Sequence, residues 1–277
     1  MDFDLVIYKQ LINFLLEQNY QFQTVEEYFT LNNSFSQTCL QVLMRHDVDR
    51  KPGNSLRMAK LEHELGVKAT YYFRTIPQTF KPDIIREIAS LGHEIAYHYE
   101  NLCDAEVQIK NLKFKIKNSD EYKQKLFGLA ITDFKKNLAK LRSIYPIKHI
   151  AMHGRPTSKW DSRLLWDKYD YKKYGVLSEP YFDIDFNHVQ YITDAGRSWD
   201  NAKINLRDKV DSSFKSNFKH TNDIINALNL GKLSNQIMIN IHPEHWAETN
   251  IEWIKIWTVR KLKNAVKRMV LGIRNKA

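Results

Sequence analysis

The alternation of short apolar runs with helical patterns between residues 40 and 100 is the feature that most constrains the fold. Each helical pattern ends at a glycine, Gly66 or Gly92, and glycine is a common helix terminator. In chain order, the apolar runs and the helical patterns between them cover 40–44, 56–65, 68–73, 82–91 and 93–97. The order strand, helix, strand, helix, strand predicts an α/β fold with a parallel sheet and right-handed crossovers.

The rest of the chain extends this pattern at both ends. Apolar residues at helical spacing predict helices at 5–15 and 24–29. Beyond residue 100 the sequence predicts a charged helical region, a strand, two less regular stretches and a last strand, at 105–145, 147–152, 171–177, 189–193 and 236–241. Since no linker or repeat interrupts the chain, we predict a single catalytic domain. Its parts are N-terminal helices at 1–36, a core at 40–250 and a basic amphipathic C-terminal helix at 251–277.

The net charge of +10 is concentrated near the C-terminal end. No acidic residue follows Glu252, and the eight basic residues there are Lys255, Arg260, Lys261, Lys263, Lys267, Arg268, Arg274 and Lys276. The preceding part of the chain therefore carries only about two net positive charges, which argues against nucleic-acid binding. We expect the basic segment to be a helix docked on the body, with contact to an anionic membrane surface as the alternative.

The N-terminal sequence does not have the pattern of an export signal. Asp2 and Asp4 stand where a signal peptide carries positive charge, and polar residues interrupt the apolar ones that follow. The two cysteines, Cys39 and Cys103, form neither a CxxC motif nor a disulfide framework. We therefore expect a cytoplasmic protein, either free or peripheral at the inner membrane face.

Polar residues follow the predicted strands at the points where the strands end. Asp47 and Asp49 end the first strand, and His98, His153 and His242 end or follow three later ones. Because the carboxyl ends of parallel strands meet at one edge, these side chains are expected to converge where α/β proteins form active sites. Aspartate and histidine bind zinc and similar divalent ions, so this edge is a candidate metal site.

A structural role is the alternative for each of these residues, because an isolated histidine is more often hydrogen-bonded within the fold than bound to a metal. Asp47 and Asp49, however, point to the same side of a strand, where two carboxylates repel unless a cation or a proton separates them. Their coincidence with three strand-end histidines favours a functional site.

The motifs around these residues resemble the polysaccharide deacetylase family, also called the NodB-homology or carbohydrate esterase 4 family. The segments that carry the resemblance are RHDVD at 45–49, ATYYFR at 69–74, LGHEIAYHYE at 91–100, MHGRP at 152–156, TDAGRSWD at 193–200 and INIHPEHW at 239–246. The motifs HDVD and HYENL suggest a resemblance to an atypical branch of this family. The resemblance implies an incomplete (β/α)7-type barrel and a divalent metal ion, with zinc expected.

In this family one aspartate is the general base and a second binds the metal, which by resemblance makes Asp47 the base and Asp49 a ligand. His98 matches the first of two family histidines four residues apart, but Leu102 stands at the second position. We therefore predict Asp49, His98 and His153 as the metal set, because His153 ends the next predicted strand.

Glu100 is a weaker candidate for the third ligand. His93 lies five residues before His98 in the same predicted strand and so faces the opposite side, which favours a structural role.

By the same resemblance, His242 is the acid that protonates the leaving group, with His245 as the less favoured alternative. A family arginine orients the base. Arg197, or alternatively Arg155, is the candidate for this bidentate contact. Trp199 and Trp246 would offer flat faces to a sugar ring or would belong to the core.

The implied function is metal-dependent removal of an acetyl group from an N- or O-acetylated sugar or polysaccharide precursor, in surface-polysaccharide biosynthesis. Hydrolysis of another small amide is the alternative within enzymes. A catalytically inactive sugar-binding or scaffold protein is the alternative outside them, and Leu102 is its main support.

Overall fold

The computed structural model describes residues 1–31, 39–112, 118–155, 158–199 and 208–274, with side chains up to residue 265. The predicted segments 1–36 and 251–277, and the last residues of the MHGRP and TDAGRSWD motifs, therefore lie partly outside the described residues. The chain begins with α1 (Leu5–Glu17), β1 (Gln21–Gln23) and α2 (Val25–Leu31). The Asp4 side chain caps α1 by accepting a hydrogen bond from the backbone N–H of Ile7 at 2.9 Å.

Six further strands build the sheet: β2 (Gln41–Val48), β3 (Thr70–Phe73), β4 (Glu94–Tyr99), β5 (Ile150–Met152), β6 (Gln190–Thr193) and β7 (Gln236–Ile241). All of the strand pairs are parallel, in the order β5-β4-β3-β2-β7-β6, and β1 pairs with the first half of β2. The predicted parallel α/β sheet is confirmed. Every residue of β2 is buried, as expected for a central strand covered on both faces.

The helices that connect and cover these strands are α3 (Pro52–Glu64), α4 (Pro82–Ser90), α5 (Asn101–Asn111), α6 (Ser119–Arg142), α7 (Pro180–Asp183), α8 (Thr221–Asn229) and α9 (Asn250–Arg274). Short 3-10 helices lie at Ser162–Asp167, Tyr171–Tyr174 and Pro243–His245. Both α3 and α4 begin with a proline, whose fixed φ suits a first helical position. Gly66 and Gly92 follow these two helices with φ of 71° and 92°, a conformation that favours glycine.

The sheet is curved. His153 directly follows β5, yet its Nε2 lies 3.3 Å from Asp49 Oδ1 beyond the end of β2. These two strands are three positions apart in the sheet, which is about 14 Å in a flat sheet. In the described part of the chain, no pairing joins the two edge strands β5 and β6. The architecture is therefore an incomplete α/β barrel, as expected.

The two faces of the sheet have different neighbours. Side chains such as Tyr72 and Met238 fill the inside of the half-barrel, whereas Tyr71 and Ile239 pack outward against the helices. The same alternation sends Asp47, His98 and His242 inward. It sends His93 outward, where its Nε2 donates to Ala59 O at 2.9 Å, so the prediction that His93 and His98 face opposite sides is confirmed.

Some element boundaries differ from the sequence predictions. Strand β2 continues through the polar residues to Val48, because Arg45 pairs with Asp47 inside the half-barrel and His46 pairs with Glu62 on the outer face of the sheet. The region predicted as helical at 105–145 contains two helices, α5 and α6. The sequence did not predict β1, which has only three residues, or α8. None of the helices in the described residues combines the length and apolar character that crossing a bilayer requires.

Candidate active site

Asp47 lies at the end of β2 and is held by an arginine from the same strand. The Arg45 guanidinium donates to both Asp47 oxygens, from Nε at 2.8 Å and from Nη2 at 2.9 Å. Arg45 is fully buried and lies over the rings of Tyr72 and Tyr181. Burial alone would raise the pKa of Asp47, but the charges of Arg45 and nearby histidines lower it. Asp47 is therefore ionised at neutral pH.

Asp49, His98 and His153 come together above the strand ends. Asp49 Oδ1 lies 3.4 Å from His98 Nε2 and 3.3 Å from His153 Nε2. His98 Nδ1 donates to Ala151 O at 2.9 Å, which directs its Nε2 toward Asp49. Asp49 Oδ1 is buried and has no hydrogen-bond partner among the described residues. The three predicted ligands are thus neighbours.

The protonation states of this cluster suit a divalent cation. Burial lowers the pKa of His153 to about 4, which leaves its ring neutral. Burial would raise the pKa of Asp49, but His153 and His98 hold it well below its ordinary value. Two imidazoles and one carboxylate form a donor set that zinc binds, and a buried oxygen without a hydrogen bond fits a metal ligand.

Asp194, His242 and His245 form a second cluster. Their possible ligand atoms lie within 4.8 Å of one another, a spacing that on distance alone suits a metal. Asp194 Oδ1, however, accepts from the His242 backbone N–H at 2.9 Å and from Nδ1 at 2.7 Å, and Oδ2 accepts from Trp246 Nε1 at 2.8 Å. The Arg260 guanidinium also contacts His245 Nε2. A cation fits poorly beside that guanidinium, so Asp194 is better explained as the carboxylate that orients His242.

The two histidines of this cluster differ in charge. Burial would lower the pKa of His242, but hydrogen bonding and the charge of Asp194 raise it to about 10. Burial and the nearby Arg260 charge lower the pKa of His245 to about 3. His242 therefore carries a proton at neutral pH and His245 does not.

Sequence reasoning missed Asp194, although it directly follows β6 just as Asp49 directly follows β2. The signal that could have identified it is the aspartate at the strand end in the TDAGR segment.

The orienting arginine is a correction to the sequence prediction. The contact with Asp47 that we expected from Arg197 or Arg155 is made by Arg45. Arg197 instead donates from Nε to His245 O at 3.2 Å and lies over the Trp253 ring. Its guanidinium therefore faces α9, which carries Trp253.

Arg155 belongs to an ion-pair group behind His153. It pairs with Glu100 at 2.9 Å and with Asp104 at 3.0 Å. Glu100 also accepts from Arg74 Nε at 2.7 Å, and its Oε2 lies 3.8 Å from His153 Nδ1. Arg74 and Arg155 thus both pair with the carboxylate of Glu100, the weaker candidate for the third metal ligand.

Leu102, at the position of the second family histidine, is fully buried in the hydrophobic core. Trp199 and Trp246 are each 1% exposed and pack with Phe3 against α1. Of the two alternatives predicted for these tryptophans, the structure supports the core position, since both side chains are buried.

These clusters line one pocket of about 630 Å³. Asp47, Asp49, His98, His153 and His242 all border it. Its opposite wall comes from one side of α9, whose bordering residues are Lys255, Ile256, Val259, Arg260, Lys263 and Asn264. A cavity of this size suits a ligand of several hundred daltons.

Comparisons with known proteins found no matching family model and no matching curated protein. Among solved structures, the chain is similar to a family 4 carbohydrate esterase from Bacillus anthracis, with 11% identity, 90% of this chain and 83% of that chain covered, and a TM-score of 0.38. A family 4 pseudoenzyme from the same organism is 13% identical, with 82% and 63% covered and a TM-score of 0.40. A peptidoglycan N-acetylglucosamine deacetylase is 17% identical, with 90% of both chains covered and a TM-score of 0.39.

Two of these solved structures, the esterase and the pseudoenzyme, are described as members of carbohydrate esterase family 4.

Proposed function

We propose that the chain is a metal-dependent hydrolase that removes an acetyl group from an N- or O-acetylated sugar. The observation that carries this proposal is the convergence of three chemical functions in one pocket. They are an ionised carboxylate at Asp47, a cluster of ligand atoms around Asp49, and a protonated imidazole at His242. Acyl hydrolysis needs a base, an electrophile and an acid, and here each role has its own group.

Asp49, His98 and His153 would hold the divalent ion, for which zinc is the proposed identity. Bound there, the ion would polarise the acyl carbonyl and lower the pKa of a water molecule. The hydrogen bond from His98 Nδ1 to Ala151 O fixes the ring with Nε2 toward Asp49, which prepares the ligand before any ion arrives.

Asp47 is the proposed general base. Its Oδ2 lies 3.6 Å from His98 Nε2, so it adjoins the ligand cluster and is within reach of a water there. Arg45 holds both carboxylate oxygens, and Asn240 Nδ2 donates to Oδ2 at 3.1 Å. These contacts keep the carboxylate ionised and fixed in orientation, ready to accept a proton from the attacking water.

His242 is the proposed general acid. Asp194 accepts from Nδ1, which leaves Nε2 as the ring nitrogen that donates to the leaving amine or alcohol. The same carboxylate stabilises the protonated ring, so the proton is in place before the acyl bond breaks.

The proposed substrate is an acetylated sugar or polysaccharide precursor in surface-polysaccharide biosynthesis. Cys39 and Cys103 are both free, which suits a reducing compartment, so we propose action in the cytoplasm. Buried Leu102 favours a second candidate, a sugar-binding protein that keeps this fold without catalysis.

Metal content and deacetylation, measured together, test the proposal. We expect purified protein supplied with zinc to hold about one equivalent and to release acetate from acetylated sugars. Asp49→Ala and His98→Ala should lose both properties. His188→Ala is the matched control, because His188 is an exposed histidine paired with Asp185 and should change neither. No bound metal in the wild type after divalent ions are supplied would refute the hydrolase and favour the sugar-binding protein.

A further inference from the structure

The mouth of the pocket carries basic side chains that the proposed hydrolysis does not use. Arg50 and Lys51 follow β2 immediately after the ligand Asp49, and Lys255 and Lys263 come from α9. All four border the pocket and are exposed. Since they lie on two separate elements that face each other across the opening, a ligand in the pocket would pass between them.

These four cations have no ion-pair partner among the described residues. Seven lysines and arginines border the pocket against four aspartates and glutamates, and two of those acids lie beside a basic residue. Asp47 is paired with Arg45, and Glu244 lies 3.7 Å from Arg260. The excess positive charge at the opening is therefore not balanced within the described protein.

The basic residues are also close enough to repel one another. Burial lowers the pKa of Lys263, and the charges of Arg50, Arg260 and Lys51 lower it further. The helix that carries Lys263 is tied down on both sides of it. Trp253 Nε1 donates to Asp2 O at 2.6 Å, and Asn264 Nδ2 donates to Gly196 O at 3.0 Å. The like charges are thus held near each other, which an anion would stabilise.

We propose that Arg50, Lys51 and Lys263 bind a phosphate or diphosphate group on the substrate, next to the sugar that enters the catalytic pocket. This inference rests on the proposed function, which supplies the sugar part of the substrate. It concerns how the phosphate part is bound. A nucleotide-linked and a lipid-linked sugar share this chemistry. Lysine and arginine are the side chains that proteins use for phosphate oxygens.

The shape of the opening favours a substrate group over a membrane surface. The three cations line the wall of a concave pocket that ends at Asp49 and His98. Lys261, in contrast, does not border the pocket and lies over the ring of Trp257 on the outer side of α9. A flat anionic surface would engage Lys261 before it engaged the cations inside the pocket mouth.

Calorimetric titration of the metal-loaded protein with glucose 1-phosphate, and with glucose as the neutral probe, tests this inference without any turnover. We expect binding of the sugar phosphate to exceed that of glucose at least tenfold, and Arg50→Ala and Lys263→Ala each to weaken it about tenfold. Lys261→Ala removes the same charge from the same helix and should stay within twofold. The preference should shrink as salt is raised.

Equal binding of glucose and glucose 1-phosphate by the wild type, or equal losses in Lys261→Ala and Lys263→Ala, would overturn the inference. A vesicle arm distinguishes the sources of phosphate. If Lys263→Ala loses binding only to phosphatidylglycerol vesicles and not to glucose 1-phosphate, the cations serve a membrane surface and the inference is wrong. A protein that binds glucose 1-phosphate through Lys263 but releases no acetate would refute the hydrolase while supporting the anion site.

Discussion

Replacing Glu62 by alanine should destabilise the protein more than any exposed substitution on the same helix. Glu62 lies on α3 and is fully buried. Its carboxylate accepts from Tyr8 on α1, from Tyr71 on β3 at 2.7 Å, and interacts with His46 Nε2 on β2 at 2.6 Å. One side chain thus joins two helices and two strands on the outer face of the sheet.

The magnitude follows from what the alanine variant leaves behind. Three buried polar groups lose their partner, and an unsatisfied buried group costs about 1–3 kcal/mol. These costs are not additive in a network, so we expect a total loss of about 3–5 kcal/mol, similar to breaking a buried ion pair. For a chain of 277 residues that loss corresponds to a fall in Tm of roughly 5–9 °C.

Denaturant unfolding followed by circular dichroism measures this loss, with Glu64→Ala as the control. Glu64 is exposed on the same helix, and its removal should change the free energy of unfolding by less than about 0.5 kcal/mol. A loss below about 1 kcal/mol for Glu62→Ala at neutral pH would refute the reasoning. It would mean that the three partners find other hydrogen bonds.

The pH dependence gives a second check on the same residue. Burial would raise the pKa of Glu62, but the charge and hydrogen bond of His46 lower it below its ordinary value. The unfolded chain therefore takes up this proton at higher pH than the folded protein does. Glu62 contributes full stability above its unfolded pKa of about 4.3, and the contribution is lost as the pH falls through the lower folded value. The difference between wild type and Glu62→Ala should accordingly shrink in acid.

Two further predictions concern the residues that hold His242 and Asp47 in place. Asp194→Asn removes the charge that raises the pKa of His242 to about 10, so the alkaline limb of the kcat–pH profile should move toward the ordinary value of about 6.5. At pH 8 the protonated fraction would fall to about 3%, a roughly 30-fold loss of kcat with little change at pH 6, and an unmoved limb would contradict the assignment of His242 as the acid. Arg45→Lys keeps the charge beside Asp47 but loses the two-point contact, so unfolding free energy should drop by about 1–3 kcal/mol in denaturant titrations. Unchanged stability would show that a single buried charge is enough.

Much of the fold was predictable because its signals are local. The buried strands appear as apolar runs, and Gly66 and Gly92 mark helix ends with positive φ. The convergence of Asp49 and His98 followed from a general property of parallel sheets rather than from their own sequence context. The orienting role of Arg45 was not predictable in this way. It lies inside a strand, and only the closed interior, with Tyr72 and Tyr181 around the guanidinium, makes a buried arginine favourable there.

The proposed third ligand illustrates how the topology can compensate for a missing residue. In the register of β4 and β5, His98 stands opposite Ala151. His153 lies two residues beyond Ala151 and so points to the same inner side of the half-barrel. Leu102 meanwhile packs into the core under α5. A histidine at the end of the adjacent strand therefore reaches Asp49 without any change in the course of the chain.

The fold brings the basic C-terminal segment next to the pocket. Along the sequence, the basic C-terminal segment is separate from a nearly neutral body. In the structure, α9 crosses the open side of the half-barrel, and Lys255, Arg260 and Lys263 border the same pocket as Asp47 and His242. The proposed base and acid come from strand ends, whose positions the sheet fixes. Of the three cations proposed to bind an anionic group, Arg50 and Lys51 follow β2, and Lys263 comes from α9. A substitution at Lys263 would therefore change the affinity for the anion while Asp47 and His242 keep their positions.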